Sequence, residues 1–346
     1  MTAHPKQHVL IIGAGSMGLI SGYILSQGGA DVTFLVRPHR AKILTRPQLL
    51  YSYDDNDLKT YTDYNFSTDP VDITGANADD HVKYDYILIT LDGHALKNEV
   101  GLELVRTLGD VVRGTKTKVI IGTVFLDLRP WFLRTSGIDA DKVTNGQLLI
   151  HAYEPKIVTL PLHEPTDAKL LAQADQAYTD KLGPGFVVDD SSTAVAEGFA
   201  ELYNASGISK CNVMPAAELG SFSSPMFAIL AVSDLLGWPK YEDIDIEGEL
   251  WTLAIQSMKE IQSLRVFGET GQTAAQTTTA AGVRDQFVGI AKVMYPLDFV
   301  AFNKYHHGAK VNTQDRELLR LCISYGEADG KSMIATQELV KLVEQH

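Results

Sequence analysis

Three glycines stand at the spacing G-x-G-x-x-G in Gly13-Ala-Gly15-Ser-Met-Gly18. The chemistry this run can do is diphosphate binding. Glycine at the first place makes a tight turn, at the second lets the backbone approach a pyrophosphate, and at the third lets a helix pack on a strand. Ala14, Ser16 and Met17 lie between them, where a helix N-terminus offers free N–H groups and the positive end of its dipole. A turn without a ligand leaves three glycines at this spacing unexplained. Farther along, Val36-Arg37-Pro38-His39-Arg40, with Lys42 beyond, gathers four cations in a chain of net charge −13. A 2′-phosphate calls for a guanidinium at this place, and Arg37 and Arg40 supply one each. NAD binding calls for an acid there, but Asp31 opens the strand and lies at the wrong edge. The cofactor expected is NADP.

The elements that must position these residues follow from the pattern. His8-Val-Leu-Ile-Ile12 is an apolar, β-branched run, a helical pattern follows the glycines, and Asp31-Val-Thr-Phe-Leu-Val36 is a second strand. Strand, glycine loop, helix and strand within thirty residues form a dinucleotide-binding βαβ unit. Residues 84–90 and 118–122 read as further buried strands, with Thr90 and Leu91 at the cofactor edge of the first. Residues 102–108 belong to a helix between them. Residues 148–150, 157–160 and 186–188 read as short strands, and the polar, tyrosine-rich stretch 49–80 as strands or loops extending the sheet. From about residue 190 the spacing becomes helical: Val195, Phe199, Leu202 and Tyr203 share a face, as do Leu250, Ala254, Met258, Ile261 and Leu264. Leu318, Cys322 and Tyr325 form a third stripe, 333–343 is a last helix, and 271–282 is a low-complexity loop. The fold expected is α/β: a Rossmann-type, doubly wound, mostly parallel sheet over 1–212, followed by an all-helical domain over 213–346 for substrate and dimerisation.

Residues 9–44, VLIIGAGSMGLISGYILSQGGADVTFLVRPHRAKIL, resemble the opening of the ketopantoate reductases (2-dehydropantoate 2-reductases). The resemblance implies NADP held by Gly13, Gly15, Gly18 and Arg37, and a helical second domain. Beyond that half the family pattern is broken. The family's Lys after the fourth strand faces Asp92 here, its Asn-Gly after the next strand faces Gly122-Thr-Val-Phe125, and its Lys at the start of the helical domain has no counterpart in 219–228. Lys210 is near in sequence but lacks the surrounding pattern. Ketopantoate is therefore not the expected substrate, whereas hydride chemistry is kept, because the nicotinamide carries the hard step.

Carbonyl reduction still needs a proton donor and a cation to polarise the carbonyl. The densest polar cluster of the helical half is Phe302-Asn-Lys-Tyr-His306-His307-Gly-Ala-Lys310, followed by Gln314-Asp315. His307 and Lys310 are the catalytic candidates, provided they face the nicotinamide. The plainer role for this stretch is a polar loop capping the next helix. Asp92, His94 and Glu218 are weaker candidates. No metal site is expected, since adjacent histidines diverge on regular structure and no third ligand is placed.

Apolar residues at 45% and charged residues at 21% fit a folded, soluble protein. The acidic balance argues against nucleic acid. Two cysteines, far apart, give neither a disulfide framework nor metal spacing. No apolar leader core is read in MTAHPKQ, and the longest apolar stretch, 226–236, is too short for a membrane span. The expectation is a cytoplasmic NADP-dependent oxidoreductase acting on a small carbonyl or imine, with a homodimer as the expected partner arrangement. An opine-type or 6-phosphogluconate-type dehydrogenase and a silent NADP sensor are the alternatives.

Overall fold

The computed structural model describes residues 6–70 and 84–346. The readings of residues 1–5 as lacking an apolar core, and of 71–80 as strand or loop, lie outside the described residues. The chain forms two compact units, one of Met1–Thr159 with Pro165–Met214 and one of Leu160–Glu164 with Pro215–His346.

The first unit runs β1 (His8–Ile12), α1 (Ser16–Gln27), β2 (Asp31–Leu35), α2 (Pro38–Leu44), β3 (Gln48–Ser52), β4 (Asp57–Tyr61) and β5 (Asn65–Ser67). It continues β6 (Tyr86–Ile89), α3 (Gly93–Lys97), α4 (Glu99–Val112), β7 (Lys118–Ile121), α5 (Leu128–Ser136), β8 (Val143–Leu148) and β9 (His151–Tyr153). It ends α6 (Ala168–Gln173), β10 (Gln176–Thr179), β11 (Phe186–Asp189), α7 (Thr193–Asn204) and β12 (Cys211–Met214).

Eight strands make the main sheet, in the order β12-β11-β8-β7-β6-β1-β2-β5. Every pairing in it is parallel except β8 with β11. A sheet buried on both faces explains why its strands read as continuous apolar runs. β1 shows the two faces. Val9 and Ile11 enter one core with Ile20, Ile24, Phe34, Phe186 and Phe199, while Leu10 and Ile12 enter the other with Ile87, Ile89, Leu96, Val105 and Phe132. From β1 the chain goes out to β2 and β5, then returns to β6 on the opposite side. That reversal is the switch point of a doubly wound sheet, and ligands bind outside the carboxyl ends of the strands there.

Three expectations for this unit are corrected, the first being the strand over 148–150, of which only Leu148 belongs to one, the end of β8. Strands in the 49–80 stretch do not all extend the main sheet: β3 and β4 form a second sheet, of order β4-β3-β10-β9. Residues 157–160 are not a strand, because the amides of Ile157 and Val158 fold back onto the Glu154 carbonyl at 2.9 and 3.0 Å in a turn.

The second unit is helical: α8 (Ala216–Ser223), α9 (Met226–Leu235), α10 (Glu249–Gln262), α11 (Gly268–Thr277), α12 (Ala280–Met294), α13 (Phe299–Tyr305), α14 (Asn312–Ala328) and α15 (Ile334–Gln345). The low-complexity loop expected over 271–282 is instead the end of α11 and the start of α12. Its small residues serve packing. A Cβ on Gly271 would fall 2.2 Å from the Gln262 carbonyl oxygen, and Thr279 caps α12 by accepting from the Gly282 amide at 3.1 Å. The apolar stretch begins at Ala216 rather than at 226. Among the described residues, 216–235 is the one helical run long and apolar enough to cross a membrane, but 56% of its most apolar window is buried. Phe227, Ala228, Ile229 and Val232 are core residues.

Candidate functional site

The glycine loop separates three physical reasons for glycine. Gly13 has φ +104°, which side chains rarely adopt, and its amide donates to the Leu35 carbonyl at 3.0 Å. Gly18 is required by contact, since its Cβ would lie 2.1 Å from the Gly13 carbonyl oxygen. Gly15 is required by neither: its φ is −79°, and nothing lies within 4 Å of where its Cβ would be. The protein leaves that space open at the start of α1. Gly15 is the N-cap of α1 and has no side chain to cap with, so the amides of the first turn keep their hydrogen bonds for a ligand. A diphosphate fits this cradle. The Ser16 hydroxyl is buried and makes no hydrogen bond.

Thr90 and Leu91, at the carboxyl end of β6, buttress the loop from below. The Thr90 hydroxyl donates to the carbonyls of Ile12 at 3.0 Å and Gly13 at 3.3 Å. A Cβ on Gly13 would stand 3.2 Å from Leu91 Cδ2.

Arg37 and Arg40 take different positions. Arg37 is the N-cap of α2, exposed just past β2, with no ion pair among the described residues. Arg40 reaches back to the glycine loop. Its Nη2 donates to the Ala14 carbonyl at 3.2 Å and lies 3.5 Å from Glu154 Oε1. Glu154 is a residue that sequence reasoning missed, and 114 positions separate it from its partner.

A second missed group lies beyond the carboxyl ends of β6 and β7. Lys97 Nζ, three-quarters buried, pairs with Asp127 at 2.5 Å and sits 4.5 Å from the centre of the Phe125 ring. The signal for it is a Lys in the short helix that follows β6. Asp92 is committed to capping α3, accepting from the Ala95 amide at 2.7 Å. His94 and Glu218 are exposed.

In the second unit, His306–Lys310 is a π-helical turn between α13 and α14, not the loop expected. It folds this way because the Val311 amide closes onto the His306 carbonyl at 2.9 Å. His307 Nδ1 lies 2.8 Å from Asp315 Oδ2, and both side chains are largely buried. This is the arrangement in which a carboxylate fixes an imidazole's orientation. Lys310 is exposed, its Nζ 6.0 Å from the centre of the Tyr305 ring. The turn thus places His307 inside the unit and Lys310 on its surface.

Comparison with known proteins agrees with the sequence resemblance. Residues 9–108 match the family model described as ketopantoate reductase PanE/ApbA. No curated protein matches the chain in sequence. Among solved structures, a 2-dehydropantoate 2-reductase from Geobacter metallireducens GS-15 is 18% identical at a TM-score of 0.64, covering 98% of this chain and 99% of that one. The 2-dehydropantoate 2-reductase from Methylococcus capsulatus is 15% identical at 0.65, covering 98% and 96%. A D-mandelate dehydrogenase solved with NADH is 11% identical at 0.63, covering 98% of each. Likeness at these identities carries the fold alone. The chain is therefore ketopantoate-reductase-like, by sequence over 9–108 and by fold over nearly its whole length.

Proposed function

We propose that the protein is an NADP-dependent oxidoreductase that transfers hydride to or from a small carbonyl or imine compound other than ketopantoate. The observation that carries this reading is Gly15: an open cradle at a helix N-terminus, with no steric or conformational need of its own for glycine. Gly13, Ala14, Gly15, Ser16, Met17 and Gly18 would hold the pyrophosphate, with Thr90 and Leu91 supporting the loop. Arg37 would take the 2′-phosphate, while Arg40 ties α2 to the loop through Ala14. The bound dinucleotide supplies the hydride. Lys310 and His307 would supply the polarising cation and the proton, His307 held in orientation by Asp315.

The fold shared with a D-mandelate dehydrogenase supports 2-oxo and 2-hydroxy acids as the first substrates to try. That protein was solved with NADH, which favours a second reading in which NADH is the cofactor. Arg37 argues for NADPH. The acidic composition supports a small-molecule substrate rather than nucleic acid, and the free, buried thiols of Cys211 and Cys322 support a cytoplasmic setting. A homodimer would fit the family-like fold.

The test is titration of the purified chain with NADPH and NADH, followed by NADPH oxidation with a panel of 2-oxo acids. Tighter NADPH binding and turnover of at least one acid are expected. Tight NADPH binding with no turnover on any carbonyl or imine would favour a sensor, and failure to bind either dinucleotide would overturn the reading.

A further inference from the structure

The first unit holds a second cavity, of about 420 Å³, at the other end of α1 from the glycine loop. Tyr23 on its wall lies seven residues beyond Ser16, about 10 Å along the helix. The polar wall brings together Asp54, Asp55, Asp180, Lys59 and Ser209, and the rings of Tyr23 and Tyr178 face the same space.

The charges of this wall do not balance. Lys59 pairs with Asp55 at 2.5 Å and with Asp57 at 2.8 Å, so its one positive charge is already shared between two carboxylates. Asp54 receives the Thr179 hydroxyl and, at 2.8 Å, the Asp180 amide, neither of which is a cation. Asp180 forms no salt bridge among the described residues. Burial, offset in part by the neighbouring Ser209 hydroxyl and reinforced by the charge of Asp54, raises its carboxyl to about 6, so at neutral pH it is mainly ionised.

An independent observation points to a missing partner. Ser209 is 5% exposed, lines the cavity, and its hydroxyl makes no hydrogen bond. It stands beside the Asp180 carboxyl. Gly185 leaves them the room, since a Cβ there would meet Ser209 Oγ at 2.3 Å and the two Asp180 carboxyl oxygens at 2.7 and 2.8 Å.

We infer that this cavity binds a small organic ammonium ion, at a site separate from the glycine loop. An ammonium group brings the charge that Asp54 and Asp180 lack and N–H donors for carboxylate and hydroxyl oxygens. Its methylene carbons suit the faces of Tyr23 and Tyr178, which burial keeps as neutral phenols. The occupant is not a phosphate or carboxylate, which these aspartates repel. Nor is it a metal ion: among the described residues no group of three or more His, Cys, Asp or Glu could hold one.

Calorimetric titration of the full chain at pH 8 with 1,4-diaminobutane tests this, with 1,4-butanediol as the uncharged match and sodium chloride for ionic strength. The diamine is expected to bind saturably and the diol not at all. Asp180→Asn should weaken the diamine by about 10-fold or more, the worth of a hydrogen bond to a charged group. Lys59→Met, which frees Asp55, should strengthen it by about threefold or more, and neither variant should change NADPH affinity. A diamine signal no larger than that of the salt overturns the site, as does saturable binding that both variants leave unchanged.

Discussion

At the scale of single residues, Gly15 and Gly18 make opposite predictions from the same substitution. Gly18→Ala puts a methyl 2.1 Å from the Gly13 carbonyl oxygen, so backbone must move. It is expected to cost about 1–3 kcal/mol of stability, the usual price of overpacking, and to lose dinucleotide binding with the loop. Gly15→Ala meets no protein atom and keeps an allowed φ, so stability should stay within about 0.5 kcal/mol while NADPH affinity falls at least about tenfold. Urea unfolding of both variants beside NADPH titration checks the pair. If Gly15→Ala destabilises the fold and spares binding, the open space is not a ligand's. Arg37→Ala should weaken NADPH by about 1.5–3 kcal/mol, the scale of a charge-assisted hydrogen bond, and leave NADH nearly unchanged. Equal losses for the two cofactors would remove the 2′-phosphate from Arg37. These positions were legible in the sequence because their physics is local: a turn, a helix start and a strand end within thirty residues. Glu154 was not, since its meeting with Arg40 spans 114 positions and leaves no periodic trace.

At the scale of elements, the second sheet is where the sequence was least informative. β3 meets β10 through the pair Leu50 and Gln176, and no local pattern signals a pairing over that distance. Beside the backbone ladder, one carboxylate ties the two strands together. Asp175, just before β10, receives Arg46 through two bonds of 2.7 Å, Lys156 at 2.8 Å and the Leu49 amide at 3.0 Å. Burial alone would raise its pKa, but the bonds from Arg46, Lys156 and Leu49 outweigh burial and hold it well below the usual carboxylate range. The folded state therefore binds fewer protons at this group than the unfolded chain, whose carboxyl titrates near about 3.9. The stabilisation is fully present above that value and is lost as pH falls toward the depressed folded one. Asp175→Asn should cost about 2–3 kcal/mol at pH 7, as the loss of hydrogen bonds between charged groups. The gap to the parent should narrow as urea unfolding is repeated from pH 5 down to pH 2.5, and a gap indifferent to pH would assign the cost to packing. The low-complexity loop expected over 271–282 is largely helix for a related reason. Gly and Thr disfavour helix on propensity, but Gly271 and Thr279 are placed where close packing and capping want them.

At the scale of the whole molecule, cofactor and chemistry draw on different kinds of signal. The α/β half announces itself by a motif in which Gly13 and Gly18 answer to the protein's own geometry and Gly15 leaves open space at a helix start. The helical half is built from amphipathic stripes, which specify packing and are silent on substrate. The polar stretch after α13 is the exception, and its geometry sharpens what turnover measurements should show. His307 is held by Asp315 at 2.8 Å, which fixes its ring, whereas Lys310 is a flexible-stemmed cation on the surface of its unit. On a 2-oxo acid that the parent reduces, Lys310→Ala and His307→Gln should each lower turnover by about 10²–10⁴, the usual worth of a general acid, with NADPH affinity intact. Asp315→Asn should lower turnover as well and shift its pH profile, because it acts through the orientation and charge of His307; a purely structural role would leave the profile in place. The same assay with ketopantoate is expected to show negligible NADPH oxidation, since on the sequence resemblance Asp92 and Gly122-Thr-Val-Phe125 stand where the family carries a lysine and Asn-Gly. Robust ketopantoate reduction would mean that other side chains replace them, and Lys97, the three-quarters-buried cation beyond β6, would be the first to substitute. Full turnover in both Lys310→Ala and His307→Gln would return the π-helical turn to a structural part and move the search for the acid to Lys97 and its Asp127 partner.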